Sequence, residues 1–230
     1  MSETTVRVIS SMATRLLLAE GAAAFGQAHG VQVTLEAVGG VDAARRVQAG
    51  EAFDAVVLAS GAIDELLRSG RATAGSRTDL ARSGVSVAVR AGAARPDIGT
   101  EEALKAAVLA APTIGYSTGP SGTHLLRTFE RWGLAQTLQA RTVQAPPGVP
   151  VGTMVADGRV ALGFQQLSEL MNLPGIDVVG PLPGEVQSLT VFSGAVCAAA
   201  AQPGAARAWL DFMACEAMAG AKRRHGMEPA

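Results

Sequence analysis

The stretch Val6-Arg7-Val8-Ile9-Ser10-Ser11-Met12-Ala13-Thr14 decides the reading of this chain. Its first four residues are a short apolar run rich in β-branched side chains, which predicts a buried strand. The next five are small or hydroxyl-bearing for the most part, and they lead into a helical pattern over Thr14–His29 with Leu17, Leu18, Ala22 and Phe25 on its apolar face. A strand that empties through small residues into a helix is the opening half of a βαβ unit.

The pattern then repeats. Val31–Leu35 predicts a strand, Asp42–Ala49 a helix, Ala55–Leu58 a strand, and Gly61–Arg68 a helix with Gly70 placed as its stop. This βαβαβα order predicts a parallel sheet covered by helices. Around Ser83 the pattern changes. Val85–Arg90 predicts a strand, Ala91–Asp97 a loop, Thr100–Ala110 a helix capped by Thr100, Thr113–Tyr116 a strand and Ser121–Trp132 a helix. Strand Arg141–Val143, helix Val151–Asp157, strand Val160–Phe164, a short helix through Met171 and strand Ile176–Val179 complete a second α/β unit. Beyond Pro181-Leu182-Pro183, strand Leu189–Cys197 leads into a long helix, Gly204–Arg223, expected to return to the first lobe.

The fold class expected is therefore α/β, with two three-layer α/β lobes joined by crossover strands near Ser83 and Gln187. Lobe I takes 1–82 plus 188–230 and lobe II takes 83–187. A single doubly wound domain would stretch one sheet beyond its usual width, so two lobes is the economical reading.

Composition narrows the function. Of 230 residues, 48% are hydrophobic and 17% charged, so the chain has apolar surface to bury and little charge to keep it unfolded. The formal net charge of −1 offers no basic field for nucleic acid or anionic lipid, so neither partner is expected. Two cysteines, Cys197 and Cys215, in no metal or redox spacing, argue against a disulfide scaffold or a cysteine zinc site. His29, His124 and His225 form no HExxH-type pair, so no metal and no cofactor is expected. No apolar run reaches the roughly 18–20 residues of a membrane span, so no insertion is expected. The start Met1-Ser2-Glu3-Thr4-Thr5 is acidic and polar where a secretory leader would be basic and then apolar. The expectation is a cytoplasmic protein with no importer partner, periplasmic only if a leader has been removed.

Four strand-to-helix corners share one character. They are Ser10-Ser11-Met12-Ala13-Thr14, Gly39-Gly40-Val41-Asp42, Ser117-Thr118-Gly119-Pro120-Ser121-Gly122-Thr123-His124, and Pro146-Pro147-Gly148-Val149-Pro150-Val151-Gly152-Thr153. A helix amino end presents unpaired N–H groups and partial positive charge, so it holds an anion without a lysine. Glycine lets a ligand approach the backbone, and Ser or Thr adds a rotatable donor. In an open α/β fold, ligands belong at the carboxyl ends of strands. The expected partner is a small carboxylate or oxyanion. The expected ligand-binding residues are Ser10, Ser11, Met12, Thr14, Gly39, Gly40, Val41, Arg77, Ser83, Ser117, Ser121, Gly122, Thr123, Val151, Gly152, Gln165 and Gln166. Ser11, Gly40, Ser121 and Gln166 are expected to line one cleft.

Arg77, Arg45 and Arg15 are the candidates for bidentate carboxylate capture. His124, in the first turn of its helix, and Glu169 are the candidates for acid–base chemistry. Asp42 reads as a stabiliser of its helix start and Asp54 as structural. Trp132 and Trp209 read as core, and the two cysteines as small buried hydrophobes.

The arrangement resembles the type II periplasmic-binding fold, in the branch of the molybdate-binding proteins of ABC importers. The residues that carry the likeness are Ser11-Met12-Ala13-Thr14, Gly39-Gly40, Gln48-Ala49-Gly50, Phe53–Leu58, Val89–Gly92 with Arg95–Ile98, Ser121-Gly122-Thr123 and Gly158–Phe164. The resemblance implies a two-lobed binding protein that closes over a small anion. Departures bear on the ligand. The family places serine hydroxyls in its first two corners and a tyrosine hydroxyl after a late strand. Here those positions fall on Ala13, on Gly40-Val41 and on Gln166, which disfavours molybdate and leaves a carboxylate at least as well suited.

A second resemblance is carried by Gly163-Phe164-Gln165-Gln166-Leu167-Ser168-Glu169-Leu170 and Val179-Gly180-Pro181-Leu182-Pro183. These stretches are similar to a divergent branch of the same scaffold that includes bacterial aconitate isomerase. That likeness implies the alternative function: a cofactor-independent isomerase of a small polycarboxylate, moving a C=C bond by proton transfer.

Overall fold

The computed structural model describes residues 4–230. The leader expectation rests partly on Met1-Ser2-Glu3, which lie outside the described residues. In chain order the elements begin with β1 (Thr5–Ser11), α1 (Arg15–His29), β2 (Gln32–Val38), α2 (Gly40–Gln48), β3 (Ala55–Ala59), α3 (Ser60–Arg68) and β4 (Thr78–Arg90). Next come α4 (Glu101–Ala110), β5 (Ile114–Tyr116), α5 (Pro120–Arg131), α6 (Ala135–Leu138), β6 (Thr142–Gln144), α7 (Val151–Ala156), β7 (Leu162–Gln166), α8 (Leu167–Leu170) and β8 (Ile176–Pro181). The chain ends with β9 (Leu189–Val196), α9 (Pro203–Ala214), α10 (Ala219–Arg224) and β10 (Glu228–Pro229). Two compact units result: the chain up to Arg82 together with Val191–Ala230, and Ser83–Thr190. β4 and β9 are the strands that pass from one unit into the other.

In the first unit β1 pairs in parallel with β2, from Thr5↔Gln32 to Ser11↔Val38, and with β3, from Val8↔Ala55 to Ser10↔Val57. β9 runs antiparallel to β3, and β10 pairs antiparallel with the start of β4. Alternation along β1 splits its side chains between two cores. Val6 and Val8 join Phe25 of α1 and Trp209 and Met213 of α9, whereas Ile9 joins Ala43 and Val47 of α2 and Ile63 and Leu66 of α3. The sheet is thus a middle layer between two helical ones.

Asp54 ties these layers together. It is 3% exposed, and its carboxylate accepts hydrogen bonds from the N–H of Arg7 on β1 (2.8 Å) and of Gln202 before α9 (2.7 Å).

The helix expected over Gly204–Arg223 is broken. It stops at Ala214, Cys215 is extended (ψ 159°), and a 3-10 turn over Glu216–Met218 leads into α10. Packing explains the break. A Cβ on Gly21 of α1 would lie 2.1 Å from Met213 Sδ and 3.3 Å from Met218 Cε, so both methionines press on one small residue. Five residues along a straight helix is about 140° of rotation at 3.6 residues per turn, so an unbroken helix would turn one of them away. Lys222 is 1% exposed and points back to the open end of α9, donating to Ala214 O at 3.4 Å. Burial lowers its pKa, while Cys215 and Glu216 act against that.

In the second unit β7 pairs in parallel with β5, β5 with β6, and β7 antiparallel with the second half of β4. β8 flanks β4 on its other side. Val85, Val87 and Val89 of β4 build a core with Leu104, Val108, Leu125, Phe129 and Phe164, and Val151, Met154, Val155 and Val160 pack as a satellite beside it. Strand β7 starts later than the expected Val160 and includes Gln165 and Gln166. α6 and β10, four and two residues long, are too short to leave a periodic trace and were not anticipated.

Asp54→Ala removes the acceptor of two part-buried backbone N–H groups, each costing up to about 1–3 kcal/mol to leave unpaired. The expected result is a loss of about 2–5 kcal/mol in urea denaturation, with Asp54→Asn losing less.

Candidate functional site

Three parallel strands of the first unit end side by side, and each feeds a helix. β1 ends at Ser11, β2 at Val38 beside it, and β3 at Ala59. Helix α2 begins at Gly40 behind Gly39, and α3 at Ser60 behind Ala59, and neither amino end has a side-chain cap. Each therefore leaves its first N–H groups without an intrahelical acceptor. Ser11 faces this edge: a Cβ on Gly40 would lie 3.6 Å from Ser11 Cβ. The hydroxyls of Ser10 (0% exposed) and Ser11 (8% exposed) form no hydrogen bond with any of the described residues. Leaving a buried hydroxyl unpaired costs about 1–3 kcal/mol, so Ser11, whose Cβ lies beside Gly40, marks a place kept for a partner, while alternation along β1 turns Ser10 to the opposite face of the sheet.

The remaining candidates of this unit divide. Thr14 is buried and its hydroxyl donates to Ser11 O (3.1 Å), which shapes the turn before α1. Met12 is half-buried at the same corner, and Val41 is 67% exposed in the first turn of α2. Ala13 is packed into the core. Arg77 is not a free carboxylate clamp: it is already engaged by Asp79 (2.9 Å) and Asp64 (2.7 Å). Arg45 pairs with Asp42. Arg15, exposed at the start of α1, has no ionic partner among the described residues.

The second unit brings its corners to the carboxyl edge of β5, β6 and β7, but several are filled by the protein itself. Ser117 Oγ and Ser121 Oγ lie 2.9 Å apart, and Ser117 Oγ also accepts from Gly119 N. The N–H groups of Gly122 and Thr123, expected to face a ligand, both donate to Gly119 O at 3.1 Å. Gly122 has a packing reason to be glycine, since a Cβ there would lie 1.8 Å from Ser117 O. At α7 the amino end is closed: Val151 is fully buried, its N–H donates to Gln165 Oε1 (2.8 Å), and Gly152 is pressed by Leu173, Ile176 and Leu170.

Gln166 is committed as well. In the amide orientation that satisfies both ends, it donates to Ser83 O (2.9 Å) and Gly84 O (3.3 Å) and accepts from Thr190 Oγ1 (2.8 Å). Ser83 is itself 2% exposed. His124 holds Val186 O through Nε2 (2.7 Å), so this nitrogen carries the proton when the ring is neutral.

Glu169 differs from all of these. Gln165 Nε2 donates to its Oε1 (2.8 Å), and burial pushes the carboxyl up to about 7 despite that bond. Gln165, 3% exposed, thus bridges the amino end of α7 and a carboxyl poised near neutrality.

Ser60 and Ser168 were missed. Reading α3 from Gly61 hid Ala59-Ser60-Gly61, a corner of the same character as the other four. Ser168, 6% exposed with an unpaired hydroxyl, lies in a helix too short to read. Among the described residues no cluster of three His, Cys, Asp or Glu is placed to hold a metal, and no helix is long and apolar enough to cross a membrane.

Comparison with known proteins places these corners in context. The family described as bacterial extracellular solute-binding protein matches residues 6–228. An aconitate isomerase from a Pseudomonas species is 38% identical over 98% of this chain and 88% of its own length. Among solved structures, the periplasmic molybdate-binding protein of Azotobacter vinelandii superposes with a TM-score of 0.80 at 19% identity, covering 96% of this chain and 98% of the other. The sulfate-binding protein of Mycobacterium tuberculosis H37Rv gives 0.79 at 18% identity, over 99% of this chain and 87% of the other. The structural likenesses establish the type II periplasmic-binding fold.

A carboxyl whose pKa is raised in the folded state binds more protons there than when unfolded. Its stabilising contribution is full below the unfolded value of 4.5 and is lost as pH rises through about 7. Glu169→Gln should therefore gain stability relative to the native chain as pH rises from 4.5 to 8, by up to about 3 kcal/mol. Denaturant midpoints across that range check this.

Proposed function

Since the chain belongs to the bacterial extracellular solute-binding protein family, we propose that it binds a small organic polycarboxylate through serine hydroxyls and helix amino ends. The carrying observation is the buried, unpaired hydroxyl of Ser11 beside the amino end of α2. Ser11 beside the uncapped α2, with Ser60 opening α3, offers neutral donors aimed at negative charge. Molybdate and sulfate are the ligands in the names of two structural relatives, both below 20% identity, so they speak for anion capture rather than for those ions. An organic acid with several carboxylates fits better for two reasons. Arg15 supplies a cation close in sequence to the donors, and exposed Val41 supplies apolar surface for a carbon skeleton.

The 38% identity to an aconitate isomerase supports a second reading, in which capture is followed by turnover. The scaffold would then hold a small unsaturated polycarboxylate while a proton moves between two of its carbons. Such a reaction needs an acid–base group and anion donors, and no redox partner.

Calorimetry with cis-aconitate, trans-aconitate, citrate, molybdate and sulfate tests the binding reading, and NMR of each aconitate with the protein tests turnover. The expected result is a carboxylate response with little response to molybdate. Submicromolar molybdate binding without carboxylate binding would overturn the carboxylate assignment.

Ser11→Ala should weaken carboxylate binding about tenfold, the worth of one charge-assisted hydrogen bond, with melting temperature unchanged or raised. If Ser11 served packing alone, stability would fall and affinity would stay.

A further inference from the structure

We propose that Glu169 is the acid–base residue of the second unit, taking a proton from one carbon of a small unsaturated polycarboxylate and returning it two carbons away. The assignment rests on the isomerase reading above, and it is carried by how this carboxyl is held. One of its oxygens is anchored and the other is not. Oε1 accepts from Gln165 Nε2 at 2.8 Å, and Oε2 takes no hydrogen bond from any described residue, nor is it among the polar atoms sealed from solvent. Gln165 cannot turn to release it. Its Oε1 is occupied by the Val151 N–H at 2.8 Å, so its Nε2 must face Glu169. An amide locked by main chain therefore orients the carboxyl and leaves Oε2 without a donor among the described residues, so its lone pair stays unengaged, as a general base requires.

The position is also right within the unit. β5 and β7 run in parallel with Tyr116 opposite Phe164. Ser117 on one strand end and Gln165 on the other are therefore next along the same carboxyl edge. The Ser117–Ser121 hydroxyl pair stands on that edge, with one of its two O–H groups spent within the pair.

Among the described residues no charge is placed to hold the carboxyl ionised. α8 packs against β7, α7 and β8. Neither β7 nor α7 carries an ionisable side chain, and on β8 the ionisable group is Asp177, whose Oδ2 is turned to the Gly92 N–H at 3.0 Å. With no cation to hold it ionised, burial brings the group to about 7, where it can both take and give a proton in neutral solution.

The step balances without a cofactor. Oε2 takes a proton from a methylene that adjoins both a carboxylate and a C=C bond. That C–H bond breaks, its electron pair moves into the allylic system, and the double bond shifts by one position. The protonated Glu169 returns the proton to the former alkene carbon. One C–H bond breaks and one forms, and nothing is oxidised or reduced.

The test follows trans-aconitate by NMR in H2O and in D2O, with the native chain, Glu169→Gln and Glu169→Asp, alongside calorimetry and melting curves. The native chain should interconvert the aconitates, exchange deuterium into the methylene, and lose kcat/KM below an inflection near pH 7. Glu169→Gln should stay folded, bind trans-aconitate within about threefold of the native chain, and turn over at least about 100-fold more slowly. Glu169→Asp should fall between the two. If the native chain turns over and folded Glu169→Gln matches its rate, this assignment falls and the isomerase reading stands. If the native chain neither interconverts nor exchanges deuterium, the isomerase reading falls and takes this assignment with it.

Discussion

The parallel register of β1 between β2 and β3 is the constraint on which the first unit depends. Because Ser11 is level with Val38, and Ser10 with Val57, three strands deliver their carboxyl ends to one edge. Each crossover must then start its helix there, so unpaired N–H groups collect at the same place. The residues at these turns have to be small for the helices to dock on the sheet, and that same smallness opens the backbone to a ligand. Fold and recognition share one cause.

Most of the charge near this edge is matched within the unit. Arg77, Arg45 and Arg46 are each matched by carboxylates of the same unit. What remains for a ligand is a set of hydroxyls and peptide dipoles, with Arg15 as the cation close in sequence. Such groups need no reorganisation of counter-charges when an anion arrives, and they discriminate by position rather than by field strength. The second unit uses carboxamides differently. Gln165 and Gln166 look alike in sequence, yet alternation along β7 sends them to opposite sides. One orients Glu169, and the other is absorbed by the backbone around Ser83 and Thr190.

Much of this was open to inspection in the sequence. The run of strands and helices in each half follows from short β-branched stretches alternating with amphipathic ones, and most boundaries fall within a few residues of the expectation. The corners at Ser10–Thr14 and Gly39–Asp42 were visible because small residues cluster there for a physical reason. Ser60 carried the same signal and was passed over when the helix was started one residue late.

What the sequence determined by itself is local: which segments pleat, which coil, and where helix amino ends gather small and hydroxyl residues. Such features depend on neighbours a few positions apart. Tertiary structure alone decided which polar groups were already taken. Arg77 is cancelled by Asp64 and Asp79, the Gly122 N–H turns inward to Gly119, and Ser11 stays unpaired, although all three looked equally available. It also decided that the last helix must break at Cys215 so that Met213 and Met218 could both reach Gly21. Whether a donor is free depends on partners supplied by distant parts of the chain, and no spacing along the sequence encodes that.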